Sequence, residues 1–332
     1  MDILVLGGSQ FVGRHLVDLA LKARHNVTIF NRGVSNPGLF SDAEELHGDR
    51  DGTLTALEGR NWDVVYDING YVPRVVRQSA ELLKDVVDCY VYVSTVSVYA
   101  DYSQASEDGP TLPLEDPDNE EVMTNYGALK AACERVVEEI YGERSLIVRP
   151  GFIVGPYDNV GRLPYLLRRY DQPGERLAGR ADQPVQLIHA RDLGNWMLKA
   201  SKEGVSGIYN LTGQPIPMDD LLESIILTTG CEIQVTHTSD SFLQEHDVQP
   251  VDGLIYWVPE AYYPLMQVPI RRAIETGLEL TPVSETVSET LEWVRDRSVS
   301  LEDIPERWQA ERLSLAREAE LLVKWHEQQQ VV

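Results

Sequence analysis

The first 150 residues alternate short β-branched segments with longer amphipathic segments, and this alternation restricts the fold more than any other feature. The short segments predict strands, and the longer ones predict helices that cross back over a sheet. A helix that crosses back over the sheet between two consecutive strands leaves those strands parallel. Helices of such units cover both faces of the sheet. We predict strands at residues 3–6, 27–30, 63–68, 89–94 and 146–148, with helices at 12–23, 73–87 and 126–141.

The length of the chain predicts a second structural unit. A chain of 332 residues is long for one domain, and after residue 151 the strand–helix alternation gives way to helices separated by Gly- and Pro-containing turns. The predicted fold class is α/β, a Rossmann-type doubly wound parallel sheet with a smaller, mostly C-terminal α/β substrate lobe. The predicted division assigns 1–158 plus 185–215 to the Rossmann domain, 159–184 plus 216–300 to the lobe, and 301–332 to a C-terminal helical extension.

The terminal region from 304 to 329 is dense in charge and predicts a helix. Its apolar residues predict a stripe along one face, formed by Trp308, Leu315, Leu322 and Trp325. Two interpretations remain open: the stripe packs on the protein's own surface, which we favour, or it binds a partner.

Composition argues against several classes of function. The net charge is −24, with 53 acidic against 29 basic residues, and a field of that sign repels phosphate backbones. We therefore expect a small-molecule substrate and no nucleic acid as partner. The three cysteines, Cys89, Cys133 and Cys231, show no C-x-x-C spacing and the seven histidines are dispersed, so we expect neither a disulfide framework nor a metal site.

The N-terminal segment resembles a strand more than a targeting signal. It lacks a basic region and a cleavage site, and no apolar run in the chain approaches the roughly 18 residues that span a bilayer. We expect a cytoplasmic protein that does not bind membranes.

A glycine-containing loop follows the first predicted strand directly and precedes the first predicted helix. Glycines allow a tight turn and a close approach to a pyrophosphate, whose charge is favoured at a helix N-terminus. The position of the loop therefore favours dinucleotide binding over a purely structural turn. The candidate cofactor residues here are Gly7, Ser9, Gln10, Phe11 and Val12.

Residues after the next strands predict contacts to the remaining parts of a dinucleotide. Where an NAD-binding protein usually carries an acid for the ribose 2′-hydroxyl, this chain has the neutral Asn31 and the cationic Arg32. A guanidinium suits a 2′-phosphate, so the sequence favours NADP(H) without excluding NAD(H); a solvated arginine is the alternative. Asp49 offers an acceptor for the adenine amino group, and Asn69 follows a strand where the nicotinamide ribose is expected.

Tyr126 and Lys130 are four residues apart at the start of a predicted helix. That spacing stacks the two side chains on one face. A free tyrosine has a pKa of about 10 and is a poor base at neutral pH, but a nearby ammonium favours the phenolate. The spacing alone is weak evidence in a chain with 15 tyrosines. Upstream, Thr95 ends a predicted strand, and its hydroxyl can orient the same reacting oxygen.

The chain resembles the extended short-chain dehydrogenase/reductases, the NAD-dependent epimerase/dehydratase family. The resemblance runs from residue 2 to about 297 and is carried by the glycine loop, Asp49, and the segments at 94–99, 126–130, 149–156, 188–193, 209–211 and 272–293. It implies that Thr95, Tyr126 and Lys130 form the active-site triad, and that residues from Pro150 to Ile153 lie beside the nicotinamide. It also implies a homodimer formed through the helices that include residues 126–141.

Departures from the family pattern narrow the expected reaction. The family loop usually has a third glycine where this chain has Gln10. Sugar-nucleotide 4,6-dehydratases of the family carry an Asp-Glu pair directly after the active-site Thr, where this chain has Val96 and Ser97. These side chains do not move protons for water elimination, so we disfavour 4,6-dehydration. Val185 stands where related epimerases place an arginine for the substrate diphosphate, although Arg162, Arg191, Arg271 or Arg272 could substitute.

The resulting hypothesis is an NAD(P)-dependent epimerase or dehydrogenase/reductase. It would transfer a hydride at a secondary alcohol or ketone carbon of a sugar-like or other polar small molecule, using Thr95, Tyr126 and Lys130. The alternative is a non-catalytic dinucleotide-binding sensor or an RNA-associated atypical relative, to which Gln10 in the loop points and against which the intact triad and the charge argue.

Overall fold

The computed structural model describes residues 1–296 and 312–330. Its strands are β1 (Asp2–Leu6), β2 (Asn26–Asn31), β3 (Glu44–His47), β4 (Trp62–Asp67), β5 (Val87–Val93), β6 (Ser145–Pro150), β7 (Phe152–Val154), β8 (Gly174–Ala178), β9 (Pro184–Val185), β10 (Leu187–His189), β11 (Gly207–Leu211), β12 (Ile216–Pro217) and β13 (Ile233–His237). Its α-helices are α1 (Phe11–Lys22), α2 (Pro73–Leu83), α3 (Val122–Tyr141), α4 (Arg162–Tyr170), α5 (Ala190–Lys202), α6 (Met218–Thr229), α7 (Asp240–Glu245), α8 (Arg271–Glu275), α9 (Val283–Arg295) and α10 (Leu315–Gln330).

The chain divides into two compact units. Unit 1 comprises Met1–Ile153, Ile188–Gly213 and Val268–Leu280. Unit 2 comprises Val154–Leu187, Gln214–Gln267 and the described residues of 281–332.

A seven-stranded parallel sheet forms the centre of unit 1. Its strand order is β11-β6-β5-β4-β1-β2-β3. The strands after β1 are added first on one side of it and then, from β4 onward, on the other, so the topological switch point lies between β1 and β4. All neighbouring strands run parallel, for example Ile3 beside both Val27 and Val64. The predicted Rossmann-type α/β fold is confirmed. All five strands predicted for this sheet are present, with both ends of each within two residues of the prediction.

Alternate residues of β1 face two separate core layers. Ile3 and Val5 pack with α1 and α5 on one face, whereas Leu4 and Leu6 pack with α2 and α3 on the other. All four side chains are almost fully buried, so β1 is a central strand that is apolar on both sides. This two-sided burial holds the carboxyl ends of the strands, where the loops emerge, in fixed register.

The sequence did not predict two strands of the sheet, β3 and β11. The β3 strand has the sequence Glu-Glu-Leu-His and forms one edge, where only one neighbour is needed and exposed polar residues are tolerated. The β11 strand forms the other edge. Edge strands carry a weaker apolar signal than central strands, which explains the omission.

Residues 154–158, 185–187 and 214–215, which the sequence assigned to the Rossmann domain, belong to unit 2. The largest difference from the predicted domain division lies at residues 268–280. These residues belong to unit 1, whereas the sequence assigned them to the substrate lobe. The cause is packing: Ile270, Ala273 and Leu278 are buried in the core of unit 1. Their apolar side chains are too widely spaced to indicate from the sequence which core they join.

Unit 2 contains a short parallel strand pair and a group of helices. The β8 strand pairs with β13, from Gly174 beside Ile233 to Ala178 beside His237, and α4, α6 and α9 contact one another. The helices expected after residue 151 are present as α4, α5, α6 and α9, of which α5 lies in unit 1.

The C-terminal helix α10 packs within unit 2 and does not form a separate extension. Leu322 and Trp325 join a cluster with Leu177 of β8, and the carboxylate of Glu318 forms a buried ion pair with Arg169. Leu315 is exposed, so its predicted place in the stripe is wrong. Leu313, just before α10, is buried in this cluster instead. Trp308 lies outside the described residues.

No helix within residues 1–296 and 312–330 is both long and apolar enough to span a bilayer.

Candidate functional site

The loop after β1 has the geometry of an anion-binding turn. Gly7 and Gly8 have φ angles of +111° and +104°, which side chains other than glycine rarely tolerate. A Cβ atom on Gly13 would lie 2.6 Å from the Cα of Gly8, so glycine at position 13 allows α1 to pack directly on the loop. The first turn of α1 contains no acidic residue. Its backbone N–H groups and positive dipole end therefore remain suited to a pyrophosphate.

Gln10 occupies the N-cap position of α1 without disturbing this geometry. Its φ and ψ angles are −134° and 149°, an extended conformation that does not require glycine. Its side chain is exposed and makes no capping hydrogen bond. The carbonyl of Ser9, beside it, accepts a 2.8 Å hydrogen bond from the Asn36 side chain, which ties the loop after β2 to the phosphate loop. Replacement of the third family glycine is therefore compatible with a dinucleotide at this site.

The predicted cofactor residues after β2 lie together at the end of that strand. The Asn31 side chain accepts a 2.6 Å hydrogen bond from the Gly33 amide, which leaves its NH₂ group directed away from that contact. Arg32 is exposed. His47, at the end of β3, pairs in register with Asn31 and packs against Gly33.

Asp49 forms a local turn that shapes its carboxylate. One oxygen accepts a 2.9 Å hydrogen bond from the Asp51 amide, and the Asp49 amide donates to Thr53 Oγ1 at 2.7 Å. The other carboxylate oxygen keeps its capacity to accept a hydrogen bond from an adenine amino group. These residues and the phosphate loop fit a dinucleotide.

Tyr126 and Lys130 lie one turn apart on α3. Residue 125 departs from helical geometry with a φ of −123°, so the regular part of the helix starts at Tyr126. The Tyr126 side chain is 37% exposed, whereas Lys130 is only 2% exposed. The phenol is therefore accessible to a substrate, and the ammonium lies beneath the surface.

Two backbone carbonyls hold the ammonium of Lys130. Its Nζ donates to Gly70 O at 2.7 Å, after β4, and to Val93 O at 2.6 Å, at the end of β5. It also lies 4.2 Å from the centre of the Tyr92 ring, a favourable cation–π distance. Since an ammonium has three donors, one remains for a further acceptor. Burial lowers the pKa of Lys130 to about 8.

Thr95 lies two residues after β5 and opens the segment that faces the start of α3. Its Oγ1 accepts from the Ser97 amide at 3.1 Å and lies 3.2 Å from the Ser97 hydroxyl. A Cβ atom on Gly127 would overlap the Ser97 carbonyl, so this glycine lets α3 approach the segment closely. The packing brings the residues around Thr95 to the turn of α3 that carries Tyr126. Next to Thr95, Val96 is buried.

Pro150 is the last residue of β6, and Ile153 lies in β7, three residues later. Pro150 is buried, and Ile153 is partly exposed. Between them, a Cβ on Gly151 would lie 2.6 Å from Thr212 Oγ1. The parallel sheet therefore brings the predicted residues after β1, β2, β4, β5 and β6 to the same edge of unit 1.

Three of the four arginines considered for a substrate diphosphate form ion pairs with carboxylates of the protein. Arg162 pairs with Asp252 at 2.7 Å, Arg271 with Glu275 at 2.6 Å and Arg272 with Asp108 at 2.5 Å. Val185 is fully buried. Among the described residues, no group of three or more His, Cys, Asp or Glu side chains is arranged to hold a metal ion.

Sequence reasoning missed a buried ion pair beneath this edge of the sheet. The guanidinium of Arg50 donates to both carboxylate oxygens of Asp67, and Asp67 is fully buried. A signal was present in the sequence, since Asp67 is an acid that directly follows the apolar residues Val64, Val65 and Tyr66 of this strand. Its partner was not identifiable, because Arg50 lies 17 residues earlier in a loop.

Comparison with known proteins gives the family. The sequence model of the NAD-dependent epimerase/dehydratase family matches residues 3–212, more than half of the chain. The protein therefore belongs to this family, the extended short-chain dehydrogenase/reductases, as the sequence motifs indicated.

Two curated relatives and one solved structure are similar to the chain. The chloroplast stem-loop binding protein of 41 kDa b from Arabidopsis thaliana is 29% identical over 261 residues, covering 71% of this chain. The chain spans 65% of that relative's length. The UDP-glucose 4-epimerase of Halalkalibacterium halodurans is 26% identical over 327 residues, covering 82% of this chain and 94% of that protein.

The solved structure is that of a UDP-glucuronic acid 4-epimerase from Bacillus cereus in complex with NAD. It superposes with a TM-score of 0.62 at 19% identity, covering 89% of this chain and 99% of that chain. At this identity the likeness establishes the shared fold.

Proposed function

We propose that the protein transfers a hydride at a secondary alcohol or ketone carbon of a sugar-like or other polar small molecule, using Thr95, Tyr126 and Lys130. One observation carries this proposal: the buried Lys130 ammonium lies one helical turn after the exposed Tyr126. Burial of a cation costs free energy, and buried titratable groups cluster at functional sites. The burial of Lys130 therefore supports a role beyond packing. In the part of the chain that the structure describes, the hydrogen-bond acceptors of this cation are two backbone carbonyls, and no carboxylate forms a salt bridge with it.

Each member of the triad has a distinct task in this mechanism. The nicotinamide, when bound, supplies the hydride acceptor or donor. Tyr126 takes the hydroxyl proton from an alcohol substrate, or gives a proton to the carbonyl oxygen in the reverse direction. Lys130 stabilises the phenolate electrostatically and offers its third N–H to the ribose. Thr95 donates a hydrogen bond to the substrate oxygen and keeps it in line with Tyr126.

The family is NAD-dependent, and we propose a preference for NADP(H) within this chain. The support is the exposed guanidinium of Arg32 at the end of β2, where no acid is present to repel a 2′-phosphate. Asn31 and Arg32 would hold the adenosine ribose, Asp49 the adenine, Asn69 the nicotinamide ribose, and Pro150 and Ile153 would line the nicotinamide. Gly7, Ser9, Gln10, Phe11 and Val12 would surround the pyrophosphate.

The reaction is either epimerisation or net oxidation–reduction, and we disfavour 4,6-dehydration. The residues after Thr95 support this choice, because Val96 is buried and apolar and Ser97 is not an acid. Val185 and the three ion-paired arginines weaken the case for a diphosphate-bearing substrate. The named activity of the Halalkalibacterium halodurans relative, a UDP-glucose 4-epimerase, favours a sugar-like one.

We propose that residues of unit 2 bind the substrate, that the protein forms a homodimer, and that it works in the cytoplasm on a small molecule without nucleic acid or membrane as partner. The net charge of −24 supports the last point.

A single-turnover experiment tests the proposal and separates its two forms. The protein is loaded with oxidised NAD or NADP and mixed with a panel of sugars, sugar nucleotides and other polyols, and the near-ultraviolet absorbance of the reduced nicotinamide is followed. Net accumulation of reduced cofactor indicates a dehydrogenase, whereas product epimer without accumulation indicates an epimerase. If no compound gives either result with a protein that binds the dinucleotide, the hydride-transfer proposal is wrong.

A second candidate function is a dinucleotide-binding sensor associated with RNA. The 29% identity to a protein named as a stem-loop binding protein favours it. The net charge of −24 opposes it, since every phosphate contact must overcome the surrounding negative field. Binding to a labelled stem-loop RNA at low and moderate salt is the test. Affinity that Tyr126→Phe leaves unchanged, together with absent hydride transfer, would favour this function.

A further inference from the structure

The Arg50–Asp67 pair is built into unit 1 by more than its salt bridge. The Arg50 side chain also donates to Ser79 Oγ at 2.8 Å and to Asn69 Oδ1 at 3.2 Å. Asp67 accepts a 2.8 Å hydrogen bond from the hydroxyl of Tyr90. Charged side chains in such surroundings are expensive to bury, and apolar residues of similar volume often serve stability equally well. The pair therefore invites an explanation beyond folding.

One side of the pair determines how Asn69 is presented. A guanidinium has donors and no acceptors, so the atom of the Asn69 carboxamide that faces Arg50 must be its oxygen. The NH₂ group is then left for a different acceptor. Asn69 lies against the phosphate loop, since a Cβ on Gly7 would be 3.6 Å from Asn69 Cγ. Arg50 thus turns the carboxamide so that it offers donors, the groups that an oxygen of the nicotinamide ribose requires.

The other side of the pair determines where the Gly70 carbonyl points. The Asp67 carboxylate packs closely against Gly70, because a Cβ on that glycine would lie 2.9 Å from Asp67 Oδ2. The Gly70 carbonyl accepts from the hydroxyl of Tyr92 at 2.8 Å and from Lys130 Nζ at 2.7 Å. The turn that Asp67 braces therefore carries one of the two anchors of the Lys130 ammonium.

We propose that Arg50 and Asp67 are positioning residues that fix the Asn69 carboxamide and the Gly70 anchor of Lys130 for the nicotinamide-ribose half of the cofactor. This inference rests on the proposed dinucleotide binding and assigns the pair no contact with substrate. The two residues act through their neighbours, so their removal should affect that half of the cofactor selectively. The adenosine half, held by other residues, should bind as before.

The experiment compares the affinity for NADH or NADPH with the affinity for ADP, which lacks the nicotinamide ribose. The test variant combines Arg50→Met, Asp67→Leu and Tyr90→Phe, so that no buried charge and no Tyr90 hydroxyl is left without a partner. We expect ADP to bind equally well and the reduced dinucleotide to bind about tenfold more weakly, the effect of losing one or two oriented hydrogen bonds. Adding Asn69→Ala to this variant should cause little further loss, because both changes remove the same contact.

A matched control replaces another buried ion pair, Arg169→Met with Glu318→Leu in unit 2, and should leave both affinities unchanged. If the three-residue variant does not fold, Arg50→Lys replaces it, because a lysine keeps the charge opposite Asp67 but cannot reach Asn69 and Ser79 at the same time. Equal affinities of parent and variant for the reduced dinucleotide, or an equal loss for ADP, would overturn the inference. Failure of the parent protein to bind any nicotinamide dinucleotide would instead overturn the proposed function, and this inference with it.

Discussion

The ammonium nitrogen of Lys130 lies 2.7 Å from the carbonyl oxygen of Gly70. This contact joins the helix that carries the tyrosine–lysine pair to the turn after β4, where the cofactor's nicotinamide ribose is expected. The charge of Lys130 is thereby held at the carboxyl edge of the sheet by two backbone carbonyls and by the ring of Tyr92. Within residues 1–296 and 312–330 no carboxylate pairs with it, so its protonation depends on burial and on more distant charges.

Dinucleotide binding should weaken as the pH rises through about 8. Burial lowers the pKa of Lys130 from its ordinary value of 10.5 to about 8, so the folded protein loses this cation well before the unfolded chain does. Titration of NADPH or NADH affinity between pH 6.5 and 9.5 (a range of about three units around that pKa) checks this expectation. The variant Lys130→Met should bind weakly at every pH and lose the transition. A dinucleotide affinity of the parent that does not change with pH would contradict this prediction.

The same pKa shift predicts the opposite trend for stability. Between pH 8 and 10.5 the unfolded chain binds the Lys130 proton and the folded protein does not. The contribution of this residue to the free energy of unfolding therefore increases with pH across that window. Denaturant unfolding of the parent and of Lys130→Met at several pH values gives the free energy of unfolding of each. The difference between the two isolates the contribution of Lys130, which should rise from pH 8 to 10.5.

Arg32→Ala should reduce the affinity for NADPH about tenfold and leave the affinity for NADH nearly unchanged. The reason is that only NADPH carries the 2′-phosphate that a guanidinium binds by charge-assisted hydrogen bonds. Lys22→Ala, which removes another exposed cation from unit 1, is the matched control for loss of charge. Equal affinities of parent and Arg32→Ala for NADPH would rule out a role of this residue in cofactor choice.

Arg149→Met should destabilise the protein by about 3–5 kcal/mol, because it leaves Glu134 charged and buried without its partner. Both side chains are 3% exposed, and Arg149 donates to both carboxylate oxygens. The double variant Arg149→Met/Glu134→Leu should recover most of the loss. Arg77→Met removes an exposed partner of Glu139 and should cost about 1 kcal/mol or less. Denaturant unfolding measures all three, and a single variant as stable as the parent would contradict the prediction.

The sequence was sufficient to predict the central strands of the sheet of unit 1, because these strands are apolar on both sides. Val64, Val91 and Ile147 are fully buried, and such continuous apolar segments between helices leave few alternative topologies. The position of the predicted cofactor residues and of Thr95 then follows from the parallel order, since they lie at or shortly after the carboxyl ends of strands, whereas Tyr126 and Lys130 lie on α3. Local patterns thus predict the edge of the sheet at which these residues lie.

The parts that sequence reasoning missed depend on contacts between distant segments. Arg50, in the loop after β3, pairs with Asp67 at the end of β4. Residues 268–280 join the core of unit 1 through scattered apolar side chains. Neither relationship has a periodicity or a fixed spacing. The same holds for the two carbonyl anchors of Lys130, because a backbone acceptor leaves no mark in the sequence.

The central claim is that Tyr126 moves the proton in a hydride transfer to or from the nicotinamide. The most direct measurement is the single-turnover rate of cofactor reduction, with a substrate found in the panel, for the parent and for Tyr126→Phe, alongside the dinucleotide affinity of each. We expect the variant to bind the dinucleotide as the parent does and to react at least about a hundredfold more slowly, the usual contribution of a positioned general acid or base. An unchanged rate in Tyr126→Phe would contradict the account.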